Sequence, residues 1–123
     1  MILFFFSLQN ISAMIKVLIL CTENSCRSQM AHGFLQSFNQ NLVVKSAGIE
    51  ASGELNSTAV WAMKEVGLDI TSHISESVEN YVNQDWDYVI TVCDKARDSY
   101  PSIGGKSCKK IHVALDDLSK LVG

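Results

Sequence analysis

The chain has 123 residues, of which 47% are hydrophobic and 19% charged, with a formal net charge of −3. That is enough for one globular domain with one core, and it lacks the basic footprint of a nucleic-acid binder or of a polybasic membrane patch. The cysteines Cys21, Cys26, Cys93 and Cys108 occur without secretory features and read as reduced thiols of a cytoplasmic protein. Their spacing lacks the close ligand pairs of a zinc site, so no metal is expected.

Residues 1–13 include Met1-Ile2-Leu3-Phe4-Phe5-Phe6-Ser7-Leu8, apolar but too short to span a membrane and without the basic start of a signal peptide. They read as an appendage ahead of a domain at 14–123; the alternative is an extra segment packed on that domain. Residues 15–20 form a continuous apolar run, the pattern of a buried parallel strand. Residues 28–38 predict a helix with Met30, Ala31, Phe34, Leu35 and Phe38 on one inner stripe. Leu42 to Ala47 predict a second strand, and Gly48 to Leu55 a loop. Asn56 is placed to cap a helix with Ala59, Ala62, Met63 and Val66 facing inward, ended by Gly67. A short helix is expected over 75–83, a third strand over 88–92 ending at Cys93, a loop around Pro101, Gly104 and Gly105, and a fourth strand from Lys110 to Leu115, followed by Asp116 and Asp117. Strands alternating with helices imply a four-stranded parallel sheet flanked by helices. In such sheets ligands bind at the carboxyl ends of the strands, where Cys21, Cys93 and the Asp pair would meet.

The junction Ile15–Leu20, then Cys21-Thr22-Glu23-Asn24-Ser25-Cys26-Arg27-Ser28, carries the chemistry. A strand–loop–helix of this kind turns backbone N–H groups inward as an anion cradle at a helix N-terminus. A thiol at its base sits in a positive field that favours the nucleophilic thiolate. Arg27, one of only two arginines in the chain, supplies a rigid fork for an oxyanion such as phosphate or arsenate. Cys26 reads as a small buried residue of the loop, His73 and His112 as packing residues rather than ligands, and Trp61 and Trp86 as core or partly exposed aromatics.

Cys21 through Ala31 resembles the signature of the low-molecular-weight tyrosine phosphatase fold, and more specifically that of the thioredoxin-coupled arsenate reductases built on it. Ser46-Ala47-Gly48-Ile49-Glu50, Ala62-Met63-Lys64-Glu65, Asp69-Ile70-Thr71-Ser72-His73 and Val89-Ile90-Thr91-Val92-Cys93-Asp94 extend the resemblance over roughly residues 14–121. The resemblance implies that Cys21 attacks arsenate, that the oxyanion is held by the loop Thr22, Glu23, Asn24, Ser25, Cys26, Arg27 and Ser28, and that Asn24 braces the loop while Ser28 donates to the thiolate. It implies Asp117 as general acid, with Asp116 as the alternative, and Cys93 as the thiol that attacks Cys21 to release arsenite. No bound cofactor is implied. The reductant is external: thioredoxin, or glutaredoxin with glutathione. A monomer is expected. The alternative function is that of a phosphatase cleaving phosphate monoesters through a cysteinyl-phosphate.

The chain departs from this pattern in four places. The family's third relay cysteine is Tyr100 here. Cys108, flanked by Lys106, Lys109 and Lys110, is the candidate substitute, with a thiol pKa expected to be lowered by those lysines. Leu118 stands where the family has proline after the acid. The resemblance places a further C-terminal helix beyond Gly123, so a C-terminally short domain is expected. His32 replaces an acidic residue that helps hold potassium in some relatives, so no potassium is expected.

Overall fold

The computed structural model describes residues 14–99, 103–105 and 107–113. The 1–13 appendage, Tyr100, Asp116, Asp117, Leu118 and the expected short C-terminus lie outside the described residues.

The first strand, β1 (Ile15–Cys21), is followed by helix α1 (Arg27–Phe38), β2 (Leu42–Gly48), α2 (Ser57–Glu65), a single 3₁₀ turn (Val78–Asn80), β3 (Tyr88–Thr91), α3 (Asp94–Ser99) and β4 (Lys109–His112). All pairings are parallel, in the order β2-β1-β3-β4. The expected parallel α/β sheet is therefore present. β1 lies inside it, paired on both edges and buried on both faces, which is why its sequence is a continuous apolar run rather than an alternating one. Leu18 and Leu20 face a core shared with Ala47, Val78, Tyr81, Trp86, Val89, Ala96 and Ile103. Val17, Ile19 and Cys21 face the other, with Val44, Val92 and the inner residues of α1, Ala31 and Leu35.

Several local expectations need correction. The stripe of α1 is only partly buried: Phe34 is 39% and Phe38 78% exposed. Phe34 is one residue, about 100° of helix, before Leu35 on the line that meets the sheet, whereas Phe38 lies near that line but is the last residue of the helix. In α2, Asn56 caps as predicted, its side chain accepting the Ala59 N–H at 3.0 Å, and Gly67 follows the helix at φ +82°. Ala59 and Met63 are buried, but Val66 is exposed. The helix expected over 75–83 is one 3₁₀ turn, closed by the Ser77 side chain accepting from the Glu79 N–H. Helix α3 was not expected at all. Trp86 is buried and Trp61 exposed.

The register puts Cys21 opposite Gly48, Leu20 opposite Thr91 and Thr91 opposite His112. The loops after β1, β2 and β3 thus emerge along one rim. Among the described residues no helix is long and apolar enough to cross a membrane.

Candidate active site

The loop from Cys21 to α1 is held from outside by its carbonyls. The Cys21 carbonyl accepts from the Ile49 N–H (3.1 Å), that of Thr22 from Glu50 (2.8 Å), that of Glu23 from Ser52 (3.0 Å), and that of Ser25 from Asn56 (2.8 Å). The Ser75 hydroxyl donates to the Glu23 carbonyl as well, at 2.9 Å. In a trans peptide plane C=O and N–H point opposite ways, so the amides of Thr22, Glu23, Asn24 and Cys26 are turned inward. One of them is seen at work: the Asn24 N–H donates to the Cys21 sulfur at 3.2 Å. Gly48 permits this close approach, because a Cβ there would stand 2.6 Å from the Thr22 carbonyl oxygen. Cys26 stands at the N-cap of α1 and makes no side-chain cap hydrogen bond, and no acidic residue occupies the helix's first turn.

Asn24 is the internal brace. It is fully buried with φ +54°, a left-handed conformation that asparagine tolerates better than most residues. Its Nδ2 donates to the Ser28 hydroxyl at 2.8 Å. Ser28 Oγ lies 3.0 Å from Cys21 Sγ. Having accepted from Asn24, the Ser28 hydroxyl is left to turn its own hydrogen toward that sulfur. Asn24 Oδ1 accepts from the Glu76 N–H at 2.9 Å and from Gln29 Nε2 at 3.0 Å. Gln29, 1% exposed, and Glu76 were not among the sequence candidates. The available signal was a long polar residue immediately after Ser28, at a helical position that had to be buried.

Cys93 arrives on the same rim from the end of β3. Its sulfur lies 3.2 Å from the Thr22 hydroxyl and accepts the Ala96 N–H of α3 at 3.4 Å. Arg27, the first residue of α1, reaches across the loop and donates from Nη1 to the Val92 carbonyl at 3.4 Å, beside Cys93. Loop, arginine and two thiols are therefore brought together. Glu23 is the exposed member of the loop. All four cysteines are free thiols.

Cys108 does not join them. Lys109 pairs with Tyr88, so Cys108 is level with Asp87 at the amino end of β3, while Cys93 follows its carboxyl end. Six residues of extended chain separate those levels, about 20 Å along the sheet. Nor do lysines activate it: burial pushes the Cys108 thiol up, and Lys110 offsets this only in part. The two histidines set aside as packing residues have defined partners. His73 Nδ1 meets Gln29 Oε1 at 3.0 Å, and His112 lies between Thr91 Oγ1 (2.8 Å) and Asp94 Oδ1 (3.0 Å). Among the described residues no group of three or more His, Cys, Asp or Glu could hold a metal ion.

Comparison with known proteins agrees with this geometry. The family model of the low molecular weight phosphotyrosine protein phosphatases matches residues 16–120. An arsenate reductase of Halalkalibacterium halodurans is 41% identical over 108 residues, 87% of this chain and 76% of that protein. One from Bacillus subtilis is 42% identical over 108 residues with the same coverage. A solved structure described as an arsenate reductase in the phosphate binding state superposes with a TM-score of 0.72 at 34% identity, covering 87% of this chain and 81% of that one. The chain belongs to the low molecular weight phosphotyrosine protein phosphatase family and, within it, groups with the arsenate reductases.

Proposed function

We propose that this chain is an enzyme that reduces arsenate to arsenite, with two of its own thiols supplying the two electrons. The observation that carries the reading is the placement of Cys93 against the nucleophile loop, its sulfur 3.2 Å from the Thr22 hydroxyl. A phosphatase needs the cradle alone, whereas a reductase needs a second thiol beside it.

In the proposed sequence the inward amides and Arg27 hold the oxyanion, and Ser28 and the Asn24 N–H stabilise the Cys21 thiolate. Cys21 attacks arsenic, and one oxygen leaves as water, with Asp117 as the proposed acid. Cys93, as thiolate, then attacks the Cys21 sulfur. The S–S bond forms, the S–As bond breaks, and its electron pair passes to arsenic, so As(V) becomes As(III) and leaves as arsenite. With Cys108 at the far end of the sheet, the proposed exit route is direct reduction of the Cys21–Cys93 disulfide by a dithiol protein of the thioredoxin or glutaredoxin type. No step calls for a second copy of the chain, so the proposed working unit is a monomer, acting in the cytoplasm.

The test couples arsenate to NADPH oxidation through a thioredoxin or a glutaredoxin system and follows para-nitrophenyl phosphate hydrolysis in parallel. Arsenate-dependent NADPH loss with arsenite formed is the expected result. Phosphate-ester hydrolysis with no reductant-dependent arsenite would leave the phosphatase reading in its place.

A further inference from the structure

Two charged residues follow Cys93 directly, and each is tied to a different element of the rim. Asp94, the first residue of α3, meets His112 of β4, whose Nε2 lies 3.0 Å from Asp94 Oδ1. A carboxylate can only accept, so Nε2 carries the hydrogen, and in the neutral ring Nδ1 accepts from the Thr91 hydroxyl 2.8 Å away. Arg97, one turn along α3, adds a longer contact of 3.8 Å to the same carboxylate oxygen. Lys95 pairs on the opposite side with Glu50. The Glu50 N–H in turn donates to the Thr22 carbonyl of the nucleophile loop at 2.8 Å. The start of α3 is thus fastened to β4 at one residue and to the segment after β2 at the next.

These ties are made with both thiols free. In that form the two sulfurs have different partners. Cys21 Sγ has the Ser28 hydroxyl and the Asn24 N–H, while Cys93 Sγ has the Thr22 hydroxyl and the Ala96 N–H. A disulfide draws its sulfurs to about 2.05 Å with a fixed dihedral preference. We propose that Asp94 and Lys95 are positioning residues for the second thiol: their ties to His112 and Glu50 hold Cys93 in its reduced place and break when it turns to Cys21, so they favour the dithiol over the Cys21–Cys93 disulfide. This rests on the reading of Cys93 as the thiol that attacks Cys21.

A contact made in the dithiol and lost in the disulfide raises the reduction potential of the pair. The benefit falls at the end of the cycle, because a disulfide poised higher is reduced more readily by a dithiol protein acting on it directly. The side chains of Asp94 and Lys95 are 74% and 55% exposed, so each tie shifts the equilibrium a few-fold rather than by orders of magnitude. Salt screens the Lys95–Glu50 pair.

The experiment equilibrates the full chain at pH 7 in graded mixtures of reduced and oxidised dithiothreitol. The oxidised form takes up the two electrons and two protons that Cys21 and Cys93 give up. After alkylation of the free thiols, the Cys21–Cys93 link is counted by mass spectrometry. The chains compared are wild type, Lys95→Met, His112→Leu and the swap Lys95→Glu with Glu50→Lys, each with a thermal melt. Lys95 is exposed, so its variants keep the question open to measurement even where His112→Leu does not fold. Each single variant should shift the equilibrium about threefold toward the disulfide at low salt, about 14 mV lower in potential. The swap should restore the wild-type value, and about 1 M salt, where the screening length is about 3 Å, should move wild type toward Lys95→Met. An equilibrium unchanged in either folded single variant overturns the proposal, as does a shift in Lys95→Met that the swap fails to restore. A wild type that forms no Cys21–Cys93 link in any mixture overturns the reading of Cys93 and the proposal with it.

Discussion

The Thr22 hydroxyl and the Cys93 sulfur lie 3.2 Å apart although 71 residues separate them in the chain. Thr22 is the residue after the proposed nucleophile, so this contact joins the attacking loop to the second thiol through one side chain. It exists because β1 and β3 are parallel neighbours whose register brings Leu20 opposite Thr91, which sends both chains out of the sheet at the same level.

Cys93→Ser should leave the first chemical step intact and stop the second. Arsenate turnover coupled to NADPH is expected to fall at least about a hundredfold, the scale of losing a reacting group. Phosphate binding should stay within about twofold of wild type. Steady-state arsenite formation and phosphate protection of Cys21, measured on the same preparation, check both halves.

Gly48→Ala should damage the cradle without touching a reacting atom. The new methyl group would sit 2.6 Å from the Thr22 carbonyl oxygen and 2.9 Å from the Glu23 carbonyl carbon. Both are backbone atoms, which cannot swing aside as a side chain does. Displacing them disturbs the amides that face Cys21, so oxyanion affinity is expected to drop about tenfold or more, at a stability cost of about 1–3 kcal/mol. Phosphate titration and urea unfolding give the two numbers.

Cys108→Ser should leave arsenate turnover unchanged, within about twofold, with either reductant system. The thiol lies at the opposite end of the sheet from Cys93, and burial raises its pKa. A collapse of turnover in this variant, with the melt unaltered, would return Cys108 to the relay.

Stability should fall on mild acidification. His32 and His73 both have lowered pKa values in the folded chain, so between those values and 6.5 the unfolded chain binds more protons. Stability is then full above about pH 6.5 and is lost as pH falls toward about 4, the folded value for His32. Urea midpoints at pH 7.5 and pH 5 measure the loss, and it should shrink in His32→Gln.

The β1–loop–α1 junction was legible because a strand buried on both faces leaves an uninterrupted apolar run, and because the residue types of an anion cradle stand together in the chain. The capped start of α2 and its glycine stop were legible for the same local reason. α3 was not: Asp-Lys-Ala-Arg-Asp-Ser buries only Ala96, so it has no apolar stripe to announce it. The inner face assigned to Phe34 and Phe38 failed because helical spacing defines a stripe, but neither how wide a sector the sheet covers nor how far along the helix that cover extends. The distance of Cys108 from Cys93 was legible in principle, since a residue just ahead of a parallel strand belongs to the strand's amino end. The contact of His73 with Gln29 joins positions 44 residues apart and left no local mark at all.

The two sulfurs proposed to react are anchored very differently. Cys21 closes a seven-residue strand with neighbours on both edges and a core against each face. Cys93 stands at the head of a six-residue helix that sinks one alanine into the protein. If the sulfurs are to meet, the travel falls to the residue whose release sacrifices the least buried surface. The enzyme is in this sense a fixed anvil with a movable striker, and each turnover would spend its conformational work on α3 while the oxyanion loop stays set for the next substrate.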